Sequence, residues 1–456
     1  MTVGWFTSES NCIVMIISVL HIHISRARRF VSDAISTFGT RRDRGATTFI
    51  AVWLALVTAL TSGCTSSSGG SSTPFDQKFI VIGGDFATSG ADTTAGVPTE
   101  NGALLAIEQE AKKGLPGGYT LRAQMLDDTV NGVHNDGQGV RNVQALIQDP
   151  HVLAIVGPQN SSVARAEIPV ANAAKIALVS PTTTSVGLTD DASGAAALRP
   201  TNPKYRTFFR TVLRDDLQGS ADAAYAFAVL HARRAYVIDD NESYGLGIAD
   251  VFASAFARLG GAVLERSHLT AQQQDFVPLL TRVAGKHPDL VYFGGVVASG
   301  AGELRRQMVQ LGITATFMGG DGIREDGFVL AAGKTADGIY CSGGSPNLNA
   351  MPEAARFLKD YSARFPGQLL GTYSANSYAA AEVVVEAIRK LMLSNGGAPP
   401  TREQVVDEIA RSTTPDTPLG PIAFTPEGDV TTPVVSFWTV KAGKFVFITQ
   451  QRKALH

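Results

Sequence analysis

The chain has 456 residues, of which 44% are hydrophobic, and its 39 basic and 41 acidic side chains leave a net charge of −2. The near balance of charge argues against a nucleic-acid-binding surface. The length predicts two domains with sizeable cores rather than one. Apart from Cys12 and Cys64 in the N-terminal part, the chain has a single cysteine, Cys341, so its main part is expected to fold without an internal disulfide.

A secretory signal peptide is predicted near the N-terminus. An uncharged apolar run spans about residues 46–60, and small residues separate it from Cys64. The run follows three arginines, Arg41, Arg42 and Arg44. A signal that ends on Gly-Cys resembles the bacterial lipoprotein box, which implies acylation of the Cys64 thiol, although Thr61 stands where the box usually has leucine. The alternative, a cysteine at the end of a membrane helix, would need about 20 apolar residues, more than the run offers.

The predicted signal peptide divides the chain into three parts. We predict a leader at residues 1–63, a Ser/Gly-rich tether at 64–77, and an extracytoplasmic part from residue 78 onward, anchored to the membrane by lipid on Cys64. Residues 1–40 have no clear use before a signal, and a translation start assigned too far upstream would explain them. Removing the leader's six arginines and three acidic residues changes the net charge from −2 to −5, which also argues against nucleic acid as a partner.

From residue 78 the chain alternates between strand and helix patterns. The strands of the first series are predicted at 79–82, 121–125, 153–156 and 176–179, and its helices at 100–112, 139–148 and 161–173. A second series has strands at 234–238, 263–267, 290–293 and 316–318, and helices at 244–259, 276–284 and 299–311. This alternation predicts βαβ units in parallel sheets that are covered on both faces, hence two α/β lobes.

The part of the chain after the second series is mainly helical in pattern. Helices are predicted at 352–365, 374–393 and 402–409, and the chain closes with short strands near 424, at 434–440 and at 445–448. The helical block is expected to pack on the first lobe, so that the chain crosses between the lobes more than once. We predict lobe 1 at 78–214 and 346–428, and lobe 2 at 215–345 and 429–456.

Ligand-binding residues are expected beyond the carboxyl ends of the strands. Ser161 enters a helix directly after a strand, and its neighbouring amides would favour an anion, but it could equally be a simple helix cap. Thr182, Thr183 and Thr184 follow the next strand, where threonine runs are also common solvated turns. Asp321 lies between glycines after a strand of the second series, where it could face a cation or cap a helix.

These segments together resemble the type I periplasmic binding proteins, in particular the leucine/isoleucine/valine-binding branch that feeds ABC transporters. The resemblance lies in motifs that follow one another in the family's order over nearly the whole chain from residue 78. They are Ala154 to Pro158 with Ser161-Ser162, Ser180 to Thr184, Phe209 to Thr211, Ser243 to Gly245, Asp289 to Gly295, Phe317 to Gly322, and Gly420-Pro421 with Gly428-Asp429. The resemblance implies a clamshell of two Rossmann-like lobes with parallel sheets, joined by a multi-strand hinge.

The resemblance also implies roles for individual residues. Ser161 falls on the serine that binds the ligand's carboxylate, Thr184 on the threonine that clamps the amino acid, and Thr182 on the backbone carbonyl that accepts from the ammonium group. Asp321 falls on the acidic residue that pairs with the ammonium group, and Tyr244 and Asp215 fall on residues of the second lobe that line the closed cleft.

Two departures indicate a remodelled specificity pocket. Ala95 and Val296 stand where the branch's best-known member has aromatic side chains around the ligand. That member's disulfide is also missing, because Asp127-Asp128-Thr129 replaces one cysteine-bearing stretch and Asn160 replaces the other half, so Asn160 is a further candidate at the site.

The function implied is that of a monomeric solute-binding lipoprotein that captures a small zwitterionic amino acid, of branched-chain or related type, and delivers it to an ABC transporter permease. A sensing domain for amides or small carboxylates, without transport, is the alternative. An enzyme is disfavoured, since no G-x-G-x-x-G fingerprint or phosphate loop follows the first strand and the histidines lack the spacing of a metal site or a triad. No cofactor or metal is expected.

Overall fold

Strands and helices alternate through residues 78–452, the part of the chain that this computed structural model describes. The strands, in chain order, are β1 Phe79–Phe86, β2 Thr120–Asp127, β3 Thr129–Val130, β4 Val133–His134, β5 Val152–Val156, β6 Ala177–Ser180, β7 Phe208–Arg210, β8 Arg234–Asp239, β9 Ala262–His268, β10 Leu290–Gly294, β11 Thr316–Gly319, β12 Tyr340–Gly343, β13 Val434–Lys441 and β14 Lys444–Arg452. The α-helices are α1 Thr93–Lys113, α2 Asp136–Gln148, α3 Ser161–Ala174, α4 Asp215–Ala228, α5 Ser243–Arg258, α6 Val277–Lys286, α7 Ala301–Gln310, α8 Asp326–Ala332, α9 Ala355–Arg364, α10 Ser374–Ser394 and α11 Arg402–Arg411. The predicted leader, the tether and Cys64 lie outside the described residues.

The first lobe is built on a five-stranded parallel sheet in the order β2-β1-β5-β6-β7. The central strands β1, β5 and β6 are buried on both faces because helices cover both faces, whereas the edge strand β2 is partly exposed. Ile80 and Ile82 of β1 belong to the core under α1, α9, α10 and α11, whereas Val81 belongs to the core under α2 and α3. The helices that follow the second sheet in sequence therefore pack on the first sheet.

The second lobe is built on a seven-stranded sheet in the order β14-β13-β12-β11-β10-β8-β9. Helices again cover both faces, with Phe293 in the core under α6, α7 and α8, and Tyr292 in the core under α4 and α5. The prediction of two α/β lobes is confirmed. The sheet is parallel from β9 to β12, as predicted, and the last two strands, β13 and β14, extend it in antiparallel fashion. A tight hairpin at residues 441–444 joins β13 to β14 and can connect only antiparallel neighbours.

The chain passes between the lobes three times, after β7, after β12 and before β13. Next to one passage, the guanidinium of Arg210 and the carboxylate of Asp429 form a fully buried ion pair at 2.6 Å. The lobes also touch across the cleft, where the Thr372 hydroxyl donates to the Arg324 carbonyl. The arrangement is thus a closed clamshell, while the exact domain boundaries at 214, 345 and 428 stay predictions.

Candidate functional site

The wall formed by the first lobe begins where β5 ends. Gly157 has φ +125°, and a Cβ at this position would lie 2.3 Å from the Asp85 carbonyl oxygen, so only glycine fits. The sharp turn that it makes leads through Gln159 to Asn160 and into α3. The N-terminus of α3 consequently faces the cleft between the lobes.

Asn160, rather than Ser161, is the N-cap residue of α3, and its side chain makes no capping hydrogen bond. The interpretation of Ser161 as a helix cap is therefore wrong. The Ser161 side chain lies in the first helical turn, where its hydroxyl accepts a 3.4 Å hydrogen bond from the Ser185 amide. The side-chain carbonyl oxygens of Asn160 and Gln159 are buried and have no hydrogen-bond partner within residues 78–452. These oxygens can accept hydrogen bonds from a ligand.

The loop after β6 is held by its own hydroxyl groups. The Thr182 hydroxyl donates to the Gln159 carbonyl at 2.6 Å, and the Thr183 hydroxyl is 2.8 Å from that of Ser180. The first bond joins the ends of β5 and β6, which are neighbouring parallel strands, and the second holds the loop after β6 together. Both threonine side chains are buried, unlike those of a solvated turn.

The wall formed by the second lobe is centred on Asp321, which begins a short 3-10 turn after β11. Its two carboxylate oxygens accept hydrogen bonds from the Tyr244 hydroxyl at 2.9 Å and from the Tyr373 hydroxyl at 2.6 Å. The Tyr244 hydroxyl itself accepts from the Gly322 amide at 3.2 Å. Burial raises the pKa of Asp321, and the two tyrosine hydroxyls offset this rise only in part.

A cavity of about 50 Å³ lies between these walls. Six of the predicted site residues line it together: Asn160, Ser161, Thr182, Tyr244, Val296 and Asp321. Ala95 lines it as well. Ala95 reaches the cavity because Gly96 follows it, and a Cβ on Gly96 would meet the Ala87 carbonyl oxygen at 1.7 Å. Ala95 and Val296, which stand where the branch's best-known member has aromatic side chains, are thus small side chains on opposite walls.

Thr184 and Asp215 do not line the cavity. Both side chains are buried, and the Asp215 amide donates to the Thr184 carbonyl at 2.9 Å at the passage between the lobes. Burial raises the pKa of Asp215 well above its ordinary value, and the charge on Asp321 adds to the rise. The structure therefore places this pair behind the cavity, at the hinge, and their predicted ligand contacts stay predictions.

Other lining residues were missed in the sequence: Thr99, Gln159, Gly322, Glu325, Thr372 and Tyr373. Tyr373 stands before α10, in the helical block, which carried no motif for a ligand site. Gln159 stands between the two halves of the motif Ala154 to Pro158 with Ser161-Ser162, and its position between a strand and a helix was the signal that could have found it. Glu325 is half-buried, and burial raises its pKa well above the ordinary value.

Comparison with known proteins identifies the family. The sequence profile of the family "Periplasmic binding protein" matches residues 80–444. The chain belongs to this family. Its members are substrate-binding proteins that work outside the cytoplasm. Within residues 78–452, no helix has the length and apolar character that crossing a membrane requires.

Three similar proteins illustrate the relationship. The Leu/Ile/Val-binding protein BraC3 of Rhizobium johnstonii is 28% identical over 82% of this chain and 95% of its own length. An amino acid binding protein of Pseudomonas aeruginosa is 29% identical over 68% of this chain and 78% of its own length. Among solved structures, the branched-chain amino acid transporter substrate-binding protein LivJ of Streptococcus pneumoniae, in complex with isoleucine, superposes with a TM-score of 0.71 at 24% identity over 83% of this chain and 100% of its own length. The last comparison confirms the fold.

Proposed function

We propose that this periplasmic binding protein captures a small zwitterionic amino acid, of the branched-chain type or close to it, and delivers it to the permease of an ABC importer. The observation that carries the proposal is the make-up of the cavity between the lobes. One wall offers the hydroxyl of Ser161 beside the N-terminus of α3, and the opposite wall offers the carboxylate of Asp321. A zwitterion fits such a pair of walls with its anionic end on the first and its cationic end on the second.

The relatives support the choice of ligand. The protein BraC3 is a Leu/Ile/Val-binding protein and aligns over nearly its whole length. The side-chain end of the ligand would face Ala95 and Val296, which are smaller than the aromatic residues that the branch's best-known member has at these positions. Leucine itself is therefore one candidate among several.

The binding free energy expected from these contacts is consistent with micromolar affinity. Hydrogen bonds to charged groups contribute about 1.5–3 kcal/mol each. Four such bonds between the ligand and the two walls would supply about 6–12 kcal/mol, before the cost of ordering the ligand and closing the lobes is subtracted. Micromolar binding needs about 8 kcal/mol. Closure of the two lobes is favoured only when both walls contact the ligand, which couples capture to the closed form that a permease would recognise.

Titration calorimetry with a panel of amino acids tests the proposal. For the amino acid that binds best, Asp321→Asn should lower the affinity about tenfold or more. Asparagine keeps the shape of the aspartate side chain but removes the negative charge that pairs with the ligand's ammonium group. The matched control is Asp250→Asn, because Asp250 is 65% exposed and its carboxylate pairs with Arg266 at the surface. An unchanged affinity in Asp321→Asn, together with intact folding, would remove this carboxylate from the site.

We further propose that Cys64 carries the lipid that holds the protein at the membrane, as a monomer on the tether at residues 64–77. The Gly-Cys junction after an apolar run supports this, and Cys64 lies outside the described residues. Fatty-acid labelling of the full chain tests the anchor.

A further inference from the structure

A second and larger cavity, of about 440 Å³, lies beside the first, and Glu325 and Thr372 line both. Its walls come from both lobes. Val97 and Pro98 of α1 form one side, and Arg324 and Trp438 of the second lobe form the other. Its volume falls within the range of about 300–1,000 Å³ that is usual for small-molecule sites.

The Arg324 guanidinium is the cationic group of this cavity. It lies over the Trp438 ring, 3.8 Å from the ring centroid. Its Nε and Nη1 atoms are buried, and within residues 78–452 its side chain has no hydrogen-bond or ion-pair partner. Arginine stays protonated in proteins, and a buried cation without a partner is costly. An anion bound at this place would supply the missing partner.

Two acidic side chains also line the cavity, Glu325 and Asp326. Neither forms an ion pair with Arg324, and burial raises the pKa of both, although Arg324 lowers that of Asp326. The raised pKa of Glu325 favours its neutral form, so it opposes an anion less than a charged carboxylate would.

The rest of the lining is apolar and in part exposed. Leu330 is 75% exposed and Leu369 is 60% exposed, and both border the cavity together with Leu370 and Phe445. Large exposed apolar side chains that surround a cavity are typical of a binding site. They indicate an occupant with an apolar body rather than an inorganic ion.

We propose that this cavity binds a small organic carboxylate, with its carboxylate on the Arg324 guanidinium and its apolar body against Leu330, Leu369 and Val97. This cavity shares Glu325 and Thr372 with the amino-acid cavity, but its cationic group, Arg324, is its own. Because α1 belongs to the first lobe and Arg324 to the second, the occupant would bridge the lobes and favour the closed form.

Titration calorimetry on the full chain with hexanoate tests the site. Acetate lacks the apolar body and hexanamide lacks the charge, so each should bind about tenfold more weakly than hexanoate or worse. Arg324→Gln should weaken hexanoate binding about tenfold or more. Leu330→Asp should weaken it as well by placing a negative charge at the rim, and its exposed position keeps the fold intact. The control is Arg306→Gln, an arginine of α7 that pairs with Glu303 at the surface.

Three outcomes would overturn the proposal. One is the absence of hexanoate binding at millimolar concentration. Another is equal binding of hexanoate to the wild type, Arg324→Gln and Leu330→Asp. The last is displacement of hexanoate by the amino acid that occupies the first cavity, with loss of binding in Asp321→Asn only, which would place hexanoate in that cavity instead.

Discussion

At the scale of single residues, Asp321 is buried with its hydrogen bonds satisfied. Its carboxylate is almost fully buried, and it accepts hydrogen bonds from two tyrosine hydroxyls, those of Tyr244 and Tyr373. Tyr373 comes from the helical block that packs on the first lobe, so the contact spans the cleft. The tyrosines hold the carboxylate in position, while burial keeps its pKa above the ordinary value.

This raised pKa predicts how ligand affinity depends on pH. The ammonium group of an amino acid pairs with the ionised form of Asp321, so affinity should fall as the pH decreases. The fall should begin above the pH of about 4 at which an ordinary aspartate titrates. Dissociation constants measured from neutral pH downward check this, and Asp321→Asn should give a flat profile over the same range. Parallel profiles in the two proteins would contradict the assignment.

At the scale of elements, α10 joins the late helical block to the first sheet. The helix packs along α1, and its inner face buries Val384 and Ile388 in the core above β1 and β5. Most of its residues are buried, which explains why its hydrophobic pattern is broad rather than a narrow stripe. The helix therefore stabilises a lobe that lies far from it in sequence.

Substitution within α10 tests this packing. Ile388 is fully buried, so Ile388→Ala should lower the free energy of unfolding by about 2–5 kcal/mol through lost burial and the cavity left behind. Leu393 in the same helix is 68% exposed, and Leu393→Ala should change it by about 0.5 kcal/mol or less. Urea unfolding of both variants measures the difference, and equal effects would contradict the packing described here.

Other elements were not predicted at all. β7 has three residues, too few for an alternating pattern to show. α4 carries Gly219 in its second turn, which interrupts an otherwise alanine-rich and helix-favouring segment, so its pattern did not stand out. Packing of Tyr225 against Phe437 of the last strands, with ring centroids 4.3 Å apart, is what stabilises it.

At the scale of the whole molecule, several carboxyl groups are buried away from the cleft. Burial raises the pKa of Asp128, Asp222 and Glu382 to about 8 each, and that of Glu167 well above its ordinary value. For His134, burial acts to lower the pKa, but the hydrogen bond and charge of Asp92 outweigh it and raise the pKa to about 9. Every one of these groups binds a proton more tightly in the folded chain than in the unfolded one.

These raised pKa values make the free energy of unfolding depend on pH. Between the ordinary carboxyl pKa of about 4 and a pH of about 9, the folded state holds more protons than the unfolded state, so the free energy of unfolding falls as the pH rises. Urea unfolding across this range should show a protein that is most stable on its acidic side. Glu167→Gln removes one of these groups and should flatten the slope. A free energy of unfolding that increases with pH would contradict the prediction.

The sequence by itself determined the two α/β lobes, the family and the strand ends at which Ser161, Thr182 and Asp321 stand, because alternating periodicity and short turn motifs are local properties of the chain. Tertiary structure alone decided that Tyr373 reaches Asp321, that Thr184 and Asp215 lie behind the cavity, and that Arg324 stacks on Trp438. Each of these relations joins segments that come together only when the lobes pack and close. The burial that raises the pKa of Asp321 arises from that same closure, so no local pattern could have revealed it.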